Sequence, residues 1–264
     1  MDIIDCFILK VKFFYDILNK NLQNEEILRM KKLLCFDVDG TLTEKRTKIK
    51  ADNFEFLEEL SKKYKLLIVS SGNCERIYEQ LNRFPVEILG NFGLQQSAII
   101  DGKFTIVKQN RIEMDKESFL SRIAYLRKKY GYETYQGESV DFHPSGMATF
   151  GLLGTKASIE DKLAFDPDRS KRMAFYDEVK ELFPEYDVYV GGSTSFDFGD
   201  KHFNKYTAIK QYAQENGYAI DEILYIGDED HVGGGDYPVF ASEIDAIKIT
   251  HYTKVKEQLQ FLLL

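Results

Sequence analysis

The sequence contains few cysteines, and their spacing does not suggest a shared site. Cys6, Cys35 and Cys74 are far apart, and no Cys-x-x-Cys pair occurs among the 264 residues. This pattern argues against a disulfide framework and against a thiolate zinc site. A cytoplasmic protein fits the cysteine content best.

Long apolar segments are also absent. No run of eighteen apolar residues occurs, and the nearest candidate, residues 1–18, carries five charged side chains. That segment lacks the basic start and small-residue cleavage site of a signal peptide. We interpret residues 1–30 as an amphipathic helical extension and not as a membrane anchor. Its apolar face is a candidate contact for a dimer or for the rest of the chain.

Stripes of basic residues are missing as well. The net charge is −8, and no cluster of Lys and Arg interleaved with aromatic residues stands out, which argues against nucleic acid as a main partner. With 44% hydrophobic and 30% charged residues, the chain is typical of a soluble globular protein. The acidic balance fits a site that binds a divalent cation.

Four continuous apolar runs predict buried parallel strands, because strands covered on both faces do not alternate. Amphipathic helical patterns separate these runs, which gives β-α-β order and predicts a doubly wound, Rossmann-like α/β core. The runs are residues 32–37, 65–70, 222–228 and 245–250.

The middle of the chain has a different pattern. Between residues 104 and 200, strand-like segments alternate apolar and polar residues, and two helical patterns lie among them. Alternation suits a sheet with one exposed face, so we predict an inserted α+β domain. The predicted organisation is an extension at 1–30, a core of 31–103 and 201–264, and an insert of 104–200.

Polar residues follow the predicted core strands at the edge where open parallel sheets bind ligands. Asp37 and Asp39 follow the first strand, in the segment "FDVDGTLT", and two like charges placed so close need a cation or a proton between them. The other candidates are Ser71, Gly72 and Asn73 after the second strand, Asp228 and Asp236 after the third, and Lys205 at the start of the preceding helix.

Oxygen ligands of this kind select Mg²⁺, which binds one or two carboxylates together with a substrate phosphate. Asp37, Asp39, Asp228 and Asp236 are the candidate metal-binding residues. In this hypothesis Asp37 attacks phosphorus, and Asp39 donates and later accepts a proton. Ser71 and Lys205 hold the phosphoryl oxygens.

Each piece also has an ordinary structural interpretation. Asp-Gly is a common turn, Ser71-Gly72-Asn73 is typical of a turn or a helix cap, and a helical lysine such as Lys205 is usually solvated. The segment 227–236 is also compatible with an ordinary glycine-rich loop. The order of the motifs along the chain favours the functional interpretation.

Five segments resemble the motifs of the haloacid dehalogenase (HAD) superfamily with a type IIB cap, and most closely the eukaryotic-type phosphomannomutases. The resemblance implies a HAD core with an inserted C2b-type cap domain. It also implies Asp37 as the nucleophile, Asp39 as the general acid and base, Lys205 as the third-motif lysine and Asp228 as a metal ligand. The segments are "FDVDGTLTEKRTKI", "SSGNCERIYEQL", "GLQQSAIIDGK", "GGSTSFDF" and "YIGDEDHVGGGDYPVF".

The resemblance further assigns sugar-phosphate contacts to Arg46, Ser195 and Asp197, and Gly40, Gly72 and Asn73 are further candidates. In that family, arginines of the cap hold a second phosphate. The aligned positions here are Gln136 or Gly137, His143, and Thr155 or Lys156.

A lone ammonium or imidazole replaces a bidentate guanidinium poorly, so distal-phosphate binding is not expected to match that of the family. His143 and Lys156 remain candidate substrate contacts, and His143 is equally suited to a strand-end hydrogen bond. Phe92 stands where the family commonly has asparagine. The stretch 166–172 offers Arg169, Lys171 and Arg172 as further cations, or as a solvated helix start.

These observations predict a Mg²⁺-dependent phosphohydrolase of a small phosphorylated metabolite, with a sugar phosphate as the expected substrate. The first alternative is a hexose phosphomutase similar to phosphomannomutase. A third hypothesis is a phosphoacceptor or binding module without turnover. The sequence leaves a monomer and a homodimer both open.

Overall fold

The computed structural model describes residues 30–264, so the predicted extension at 1–30 lies outside the described residues except for Met30. Within the described part, no helix is long and apolar enough to span a bilayer. The strands are β1 Leu33–Phe36, β2 Lys65–Val69, β3 Glu87–Gly90, β4 Gln95–Ile100, β5 Lys103–Gln109, β6 Val140–Phe142, β7 Ala148–Gly151, β8 Tyr186–Tyr189, β9 Ser195–Asp200, β10 Ile223–Gly227 and β11 Asp245–Lys248. The α-helices are α1 Ala51–Ser61, α2 Cys74–Gln80, α3 Lys116–Tyr130, α4 Ile159–Phe165, α5 Ser170–Met173, α6 Tyr176–Leu182, α7 Lys205–Asn216, α8 Tyr237–Phe240 and α9 Val255–Leu259.

Five parallel strands in the order β11, β10, β1, β2 and β3 form the main part of a seven-stranded sheet. Successive residues of β1 point to opposite faces of this sheet. Leu34 and Phe36 pack in the cluster that contains α1, α2 and α9, whereas Leu33 and Cys35 pack in the cluster that contains α7 and α8. Since helices cover both faces, β1, β2 and β10 are buried and almost entirely apolar, and the predicted doubly wound core is confirmed. The fourth predicted strand, β11, lies at the edge of the sheet and is only partly buried, so the prediction of a buried strand there is wrong.

The sequence patterns do not predict β3, and they place the start of the insert at residue 104. In the structure, β5 pairs antiparallel with β4, which pairs antiparallel with β3, so the large sheet continues to Gln109. The predicted boundary therefore falls inside the β4–β5 hairpin. The reason is that β5 is only partly covered, and so it shows the same alternation as the strands of the insert.

The inserted segment forms its own four-stranded antiparallel sheet in the order β6, β7, β9, β8. Phe119 of α3, Phe183 beyond α6 and Phe198 of β9 lie fully buried at its centre. Burial of each such ring stabilises the fold by about 1.5–3 kcal/mol. The predicted α+β character of this region agrees with the structure.

The insert contacts the core directly above the ends of the parallel strands. The rings of Phe92, from the core, and Tyr189, from β8, stack with centroids 4.6 Å apart. The Val190 N–H donates to the Gly233 carbonyl at 2.8 Å, which ties the end of β8 to the loop after β10. These contacts close one side of the cavity described below.

Candidate active site

Asp37 lies at the carboxyl end of β1, where the parallel pairing with β10 continues for one more residue. Its N–H donates to the Ile226 carbonyl at 2.9 Å, and the residue is only 5% exposed. The chain then turns at Gly40, which has φ +107°, and a Cβ at this position would lie 2.5 Å from Asp228 Oδ2. A glycine is therefore required at this position, where the loop after β1 passes close to the loop after β10.

Lys205 is the first residue of α7, directly after the capping residue Asn204, whose side chain accepts the Thr207 N–H. Its Nζ lies 2.6 Å from Asp37 Oδ1 and 2.6 Å from Asp236 Oδ1, and all three side chains are buried. The solvated alternative for this lysine does not describe the structure. Lys205 instead bridges the end of β1 and the loop after β10.

Asp236 organises the loop after β10. Its Oδ2 accepts the backbone N–H groups of Asp228 and Glu229 at 3.0 and 2.9 Å, and its Oδ1 also accepts the Tyr225 hydroxyl at 2.5 Å. Asp228 is held in turn by the Thr41 hydroxyl, which donates to its Oδ1 at 3.0 Å. The loop is thus fixed by hydrogen bonds around its carboxylates.

Three carboxylates converge closely enough to share one cation. One oxygen each from Asp37, Asp228 and Asp236 lies within 4.8 Å of the others. Asp37 Oδ2 is buried and has no hydrogen-bond partner among the described residues. A buried oxygen of this kind requires a ligand, and an all-oxygen set suits Mg²⁺. Asp39, which the sequence analysis includes among the metal ligands, is not part of this group.

The charges of this cluster perturb its pKa values. Burial, together with repulsion from Asp236 and Asp228, raises the pKa of Asp37 well above its usual range despite the attraction of Lys205. Burial, Asp236 and Glu229 raise the pKa of Asp228 to about 6. Burial alone would lower the pKa of Lys205, but Asp236 and Asp37 outweigh it and raise this pKa, so the ammonium stays charged. A divalent cation would relieve the repulsion that remains.

In the metal-free protein, we expect the contribution of Asp37 and Asp228 to the free energy of unfolding to fall as the pH rises from about 4 to about 7. The folded-state pKa of Asp228, about 6, exceeds its unfolded value of about 3.9, and that of Asp37 is also raised. The folded state therefore binds more protons, and stability present below the unfolded pKa is lost as the pH rises through the folded one. Urea unfolding at several pH values measures this slope.

Saturating Mg²⁺ is expected to remove most of that pH dependence, because the ion takes the place of the protons that Asp37 and Asp228 bind in the metal-free protein. An Asp228→Asn variant serves as the control, since it lacks one of the two groups responsible. In the presence of a chelator, a free energy of unfolding that falls no more steeply with pH than that of the Asp228→Asn variant would contradict the assignment of the cluster.

Asp39 is engaged on the side away from the three-carboxylate group. It accepts the Arg46 N–H at 2.6 Å, the Gln80 amide at 2.8 Å and the Arg76 guanidinium at 3.1 Å. Burial would raise the pKa of Asp39, but these donors outweigh it and lower the pKa. Asp39 still lines the cavity above Asp37.

A cavity of about 150 Å³ opens above Asp37. Of the candidates from the sequence, it brings together Asp37, Asp39, Arg46, Ser71, Asp197, Lys205, Asp228 and Asp236. Sequence reasoning missed the roles of Lys45, Arg76, Tyr189 and Glu229, which also line it. Two signals were available: Lys45 directly precedes Arg46, and Arg76 lies one helical turn after Asn73.

Other candidates make structural contacts and do not line this cavity. Asn73 is the N-cap of α2 and accepts the Arg76 N–H at 2.8 Å, and Gly72 packs against the Arg76 side chain. Ser195 Oγ donates to the Gly191 carbonyl at 3.0 Å. Lys156 packs against Gly137. The Asn73 contact corresponds to the helix-cap alternative.

His143 and Asp197 are linked through a threonine. His143 Nε2 lies 3.1 Å from Thr149 Oγ1, and the Thr149 hydroxyl donates to Asp197 Oδ1 at 2.7 Å. Asp197 lines the cavity, whereas His143 lies behind it. A Cβ on Gly191 would lie 1.8 Å from Asp197 Oδ2, so this glycine leaves room for the carboxylate. His143 is thus linked to the cavity-lining Asp197 through the Thr149 hydroxyl.

The basic side chains of residues 166–172 form hydrogen bonds and ion pairs with other residues of the protein. The Arg172 guanidinium is buried against Asp166 at 2.7 Å and donates to the Gly191 carbonyl at 2.6 Å. Lys171 Nζ donates to the Phe165 carbonyl at 2.5 Å, and Arg169 pairs with Glu229 at 2.8 Å. The insert contributes only Tyr189, Gly191, Gly192 and Asp197 to the cavity lining, so in the described structure no Lys or Arg of the insert lines it.

Solved structures with a similar fold include phosphate-processing enzymes. An IMP-bound, N-terminally truncated IMP-nucleotidase of Plasmodium falciparum superposes with a TM-score of 0.64 at 13% identity, over 92% of this chain and 71% of that one. A phosphatase of the haloalkanoate (HAD) superfamily from Bacteroides thetaiotaomicron gives 0.56 at 16% identity, over 89% and 96%. These similarities confirm the HAD-type fold.

Curated relatives are more similar in sequence. A phosphomannomutase of Saccharomyces cerevisiae is 29% identical over 225 residues, and one of Schizosaccharomyces pombe is 27% identical over 234 residues. Each alignment covers 80% of this chain and 85% of the relative. The sequence model of the eukaryotic phosphomannomutase family matches residues 53–258, a range that begins after Asp37 and Asp39. The chain thus has a HAD-type fold, and it belongs to the eukaryotic phosphomannomutase family.

Proposed function

We propose that this enzyme removes the phosphoryl group from a small phosphorylated metabolite, a sugar phosphate, in two steps through Asp37. The observation that carries the proposal is the state of the Asp37 carboxylate. One oxygen is held by Lys205, and the other is buried, unpaired among the described residues and adjacent to an open cavity. A fixed, desolvated carboxylate of this kind is suited to nucleophilic attack.

Mg²⁺ is the proposed cofactor, and Asp37, Asp228 and Asp236 would hold it. When bound, the ion would neutralise charge on the phosphoryl oxygens and on the carboxylates around them. Lys205 carries a permanent positive charge at the same place, and Ser71 lines the cavity beside it. These two residues would hold the phosphoryl oxygens during transfer.

In the first step, an Asp37 oxygen forms a bond to phosphorus while the bond to the ester oxygen breaks. Asp39, once protonated, donates its proton to that leaving oxygen. In the second step, a water molecule attacks the phosphorus and gives a proton to Asp39, and the bond between phosphorus and Asp37 breaks. The enzyme regains its starting state, and the products are inorganic phosphate and the free alcohol.

A hexose phosphomutase is the second candidate, and the names of the curated relatives favour it over hydrolysis. A mutase must hold a second phosphate while the bisphosphate turns around. Here the part of the insert that lines the cavity consists of an aromatic ring, two glycines and the Asp197 carboxylate. A carboxylate there repels a second phosphate and accepts sugar hydroxyl groups instead. The residues that the insert contributes to the cavity therefore support water as the acceptor of the phosphoryl group.

Incubation with Mg²⁺ and a panel of hexose monophosphates tests the proposal. We expect release of inorganic phosphate with an equal amount of free hexose, and no isomerisation when a hexose 1,6-bisphosphate is added. Isomerisation that depends on the bisphosphate and releases no phosphate would overturn hydrolysis in favour of the mutase. A stable phosphoprotein without turnover would favour the phosphoacceptor hypothesis.

A further inference from the structure

Three charged side chains meet beside the cavity, outside the three-carboxylate group: Lys45 and Glu229 line the cavity, and Arg169 contacts Glu229 without lining it. Glu229 Oε1 lies 3.1 Å from Lys45 Nζ and 2.8 Å from an Arg169 guanidinium nitrogen. Its Oε2 accepts the Gly235 N–H at 3.0 Å. Lys45 comes from the loop after Asp39, and Arg169 comes from the insert. The Glu229 carboxylate therefore joins a core cation to an insert cation.

The Glu229 carboxylate is held by two ion pairs. Lys45 and Arg169 both contact its Oε1. The Glu229 side chain is only 20% exposed. Both of its oxygens are occupied, and both cations already have a partner.

Two converging cations are what a second phosphate of a substrate would need, since charge-assisted hydrogen bonds from Lys and Arg dominate phosphate recognition. Here Glu229 satisfies both of them. Burial raises the pKa of Asp197, and the nearby charge of Glu229 adds to that rise, so an arriving phosphate would meet two acidic side chains. In low-dielectric surroundings this repulsion is strong.

We propose that Glu229 is a specificity-determining residue: it occupies Lys45 and Arg169 and thereby restricts the site to substrates with a single phosphate. This inference rests on the proposed phosphoryl transfer at Asp37, and it names the feature that excludes bisphosphates. Glu229 does not touch the reacting atoms. It acts through the two cations.

Calorimetric binding in an Asp37→Asn background tests the inference without turnover, so its outcome is separate from that of the hydrolysis assay. The probes are glucose 6-phosphate and glucose 1,6-bisphosphate, both with Mg²⁺, and the readout is the ratio of their dissociation constants. With Glu229 present, we expect the bisphosphate to bind no more tightly than the monophosphate. A bisphosphate that binds about tenfold more tightly, equivalent to about 1.4 kcal/mol, would overturn the proposal.

The decisive variant is Glu229→Gln, which keeps an acceptor for the Gly235 N–H and removes the charge. We expect the ratio to shift about tenfold or more toward the bisphosphate, and Lys45→Met added to it should reverse the shift. Glu243→Gln, at an exposed carboxylate paired with Lys210, is the matched control. If Glu229 only stabilised the loop, both affinities would fall together and the ratio would not move, which would refute the proposal.

Arg169→Met provides an independent measurement should Glu229→Gln fold poorly. Because Glu229 already occupies Arg169, loss of this arginine is expected to leave the affinity for the bisphosphate within about threefold of its starting value. A loss of tenfold or more for the bisphosphate alone would show that Arg169 binds a second phosphate, and the inference would fail.

Discussion

Replacing Asp37 by Asn is expected to lower kcat by about 1,000-fold or more, because the amide cannot form the proposed acyl phosphate and a missing nucleophile removes the whole two-step route. The structure indicates that the fold will tolerate the change. Asn has nearly the same shape, and Lys205 keeps its second partner, Asp236, at 2.6 Å. The loss should therefore appear in kcat with little change in the thermal midpoint.

The measurement is steady-state phosphate release with Mg²⁺, together with a search for phosphoprotein after denaturation. Asp52→Asn is the matched control, since Asp52 is an exposed residue in the first turn of α1. If the Asp37→Asn protein kept a tenth of the activity, Asp37 would not be the nucleophile. A phosphoprotein formed by the variant would lead to the same conclusion.

Replacing Lys205 by Met is expected to reduce the free energy of unfolding by about 3–5 kcal/mol near pH 8 in the absence of metal, since it leaves buried charges without a partner. The ammonium lies between Asp37 and Asp236, all three being almost fully buried. Methionine fills similar space, so the loss reports charge and not a cavity. The turnover assay should also show a large fall in kcat, because Lys205 would hold the phosphoryl oxygens.

The loss of stability in Lys205→Met should depend on pH. Without the lysine, the already raised pKa of Asp37 rises further, so the folded state takes up a proton instead. The penalty is therefore small below the unfolded pKa of about 4 and grows as the pH rises through the folded value. Urea unfolding at about pH 5 and pH 8 measures the difference.

The control is Lys210→Met, at an exposed ion pair, which should lower the free energy of unfolding by about 0.5 kcal/mol or less. A Lys205→Met cost as small as that of Lys210→Met would refute the bridging role.

The predictable part of the fold consists of elements with strong local patterns. β1, β2 and β10 are short apolar runs flanked by helices, and α7 ends at Gly217, whose φ of +75° is the typical glycine stop. β3 was missed because its apolar run is only Ile88 and Leu89, between Glu87 and Gly90, and its place depends on pairing with β2. The β4–β5 hairpin was missed because a half-covered edge strand alternates like a strand of the insert.

The same division applies to the candidate site. The positions of Asp37, Asp39, Lys205, Asp228 and Asp236 follow from motifs at strand ends, since parallel strands deliver their carboxyl ends to one edge. The orientation of side chains does not follow from such motifs. Asn73 caps α2 and faces away, whereas Glu229 reaches across to two cations that lie 184 and 60 residues away in the chain.

The sequence by itself determined the family, the doubly wound core, and the carboxylates and lysine that carry the proposed chemistry. The motifs consist of residues close together in the chain, and the core follows from repeated β-α-β order. Only the tertiary structure decided which charges neutralise one another around the cavity. Lys45, Arg169 and Glu229 come from three separate loops, and their pairing depends on how the insert packs on the core. That pairing exists only in the folded chain, since it arises from distances that no local pattern encodes.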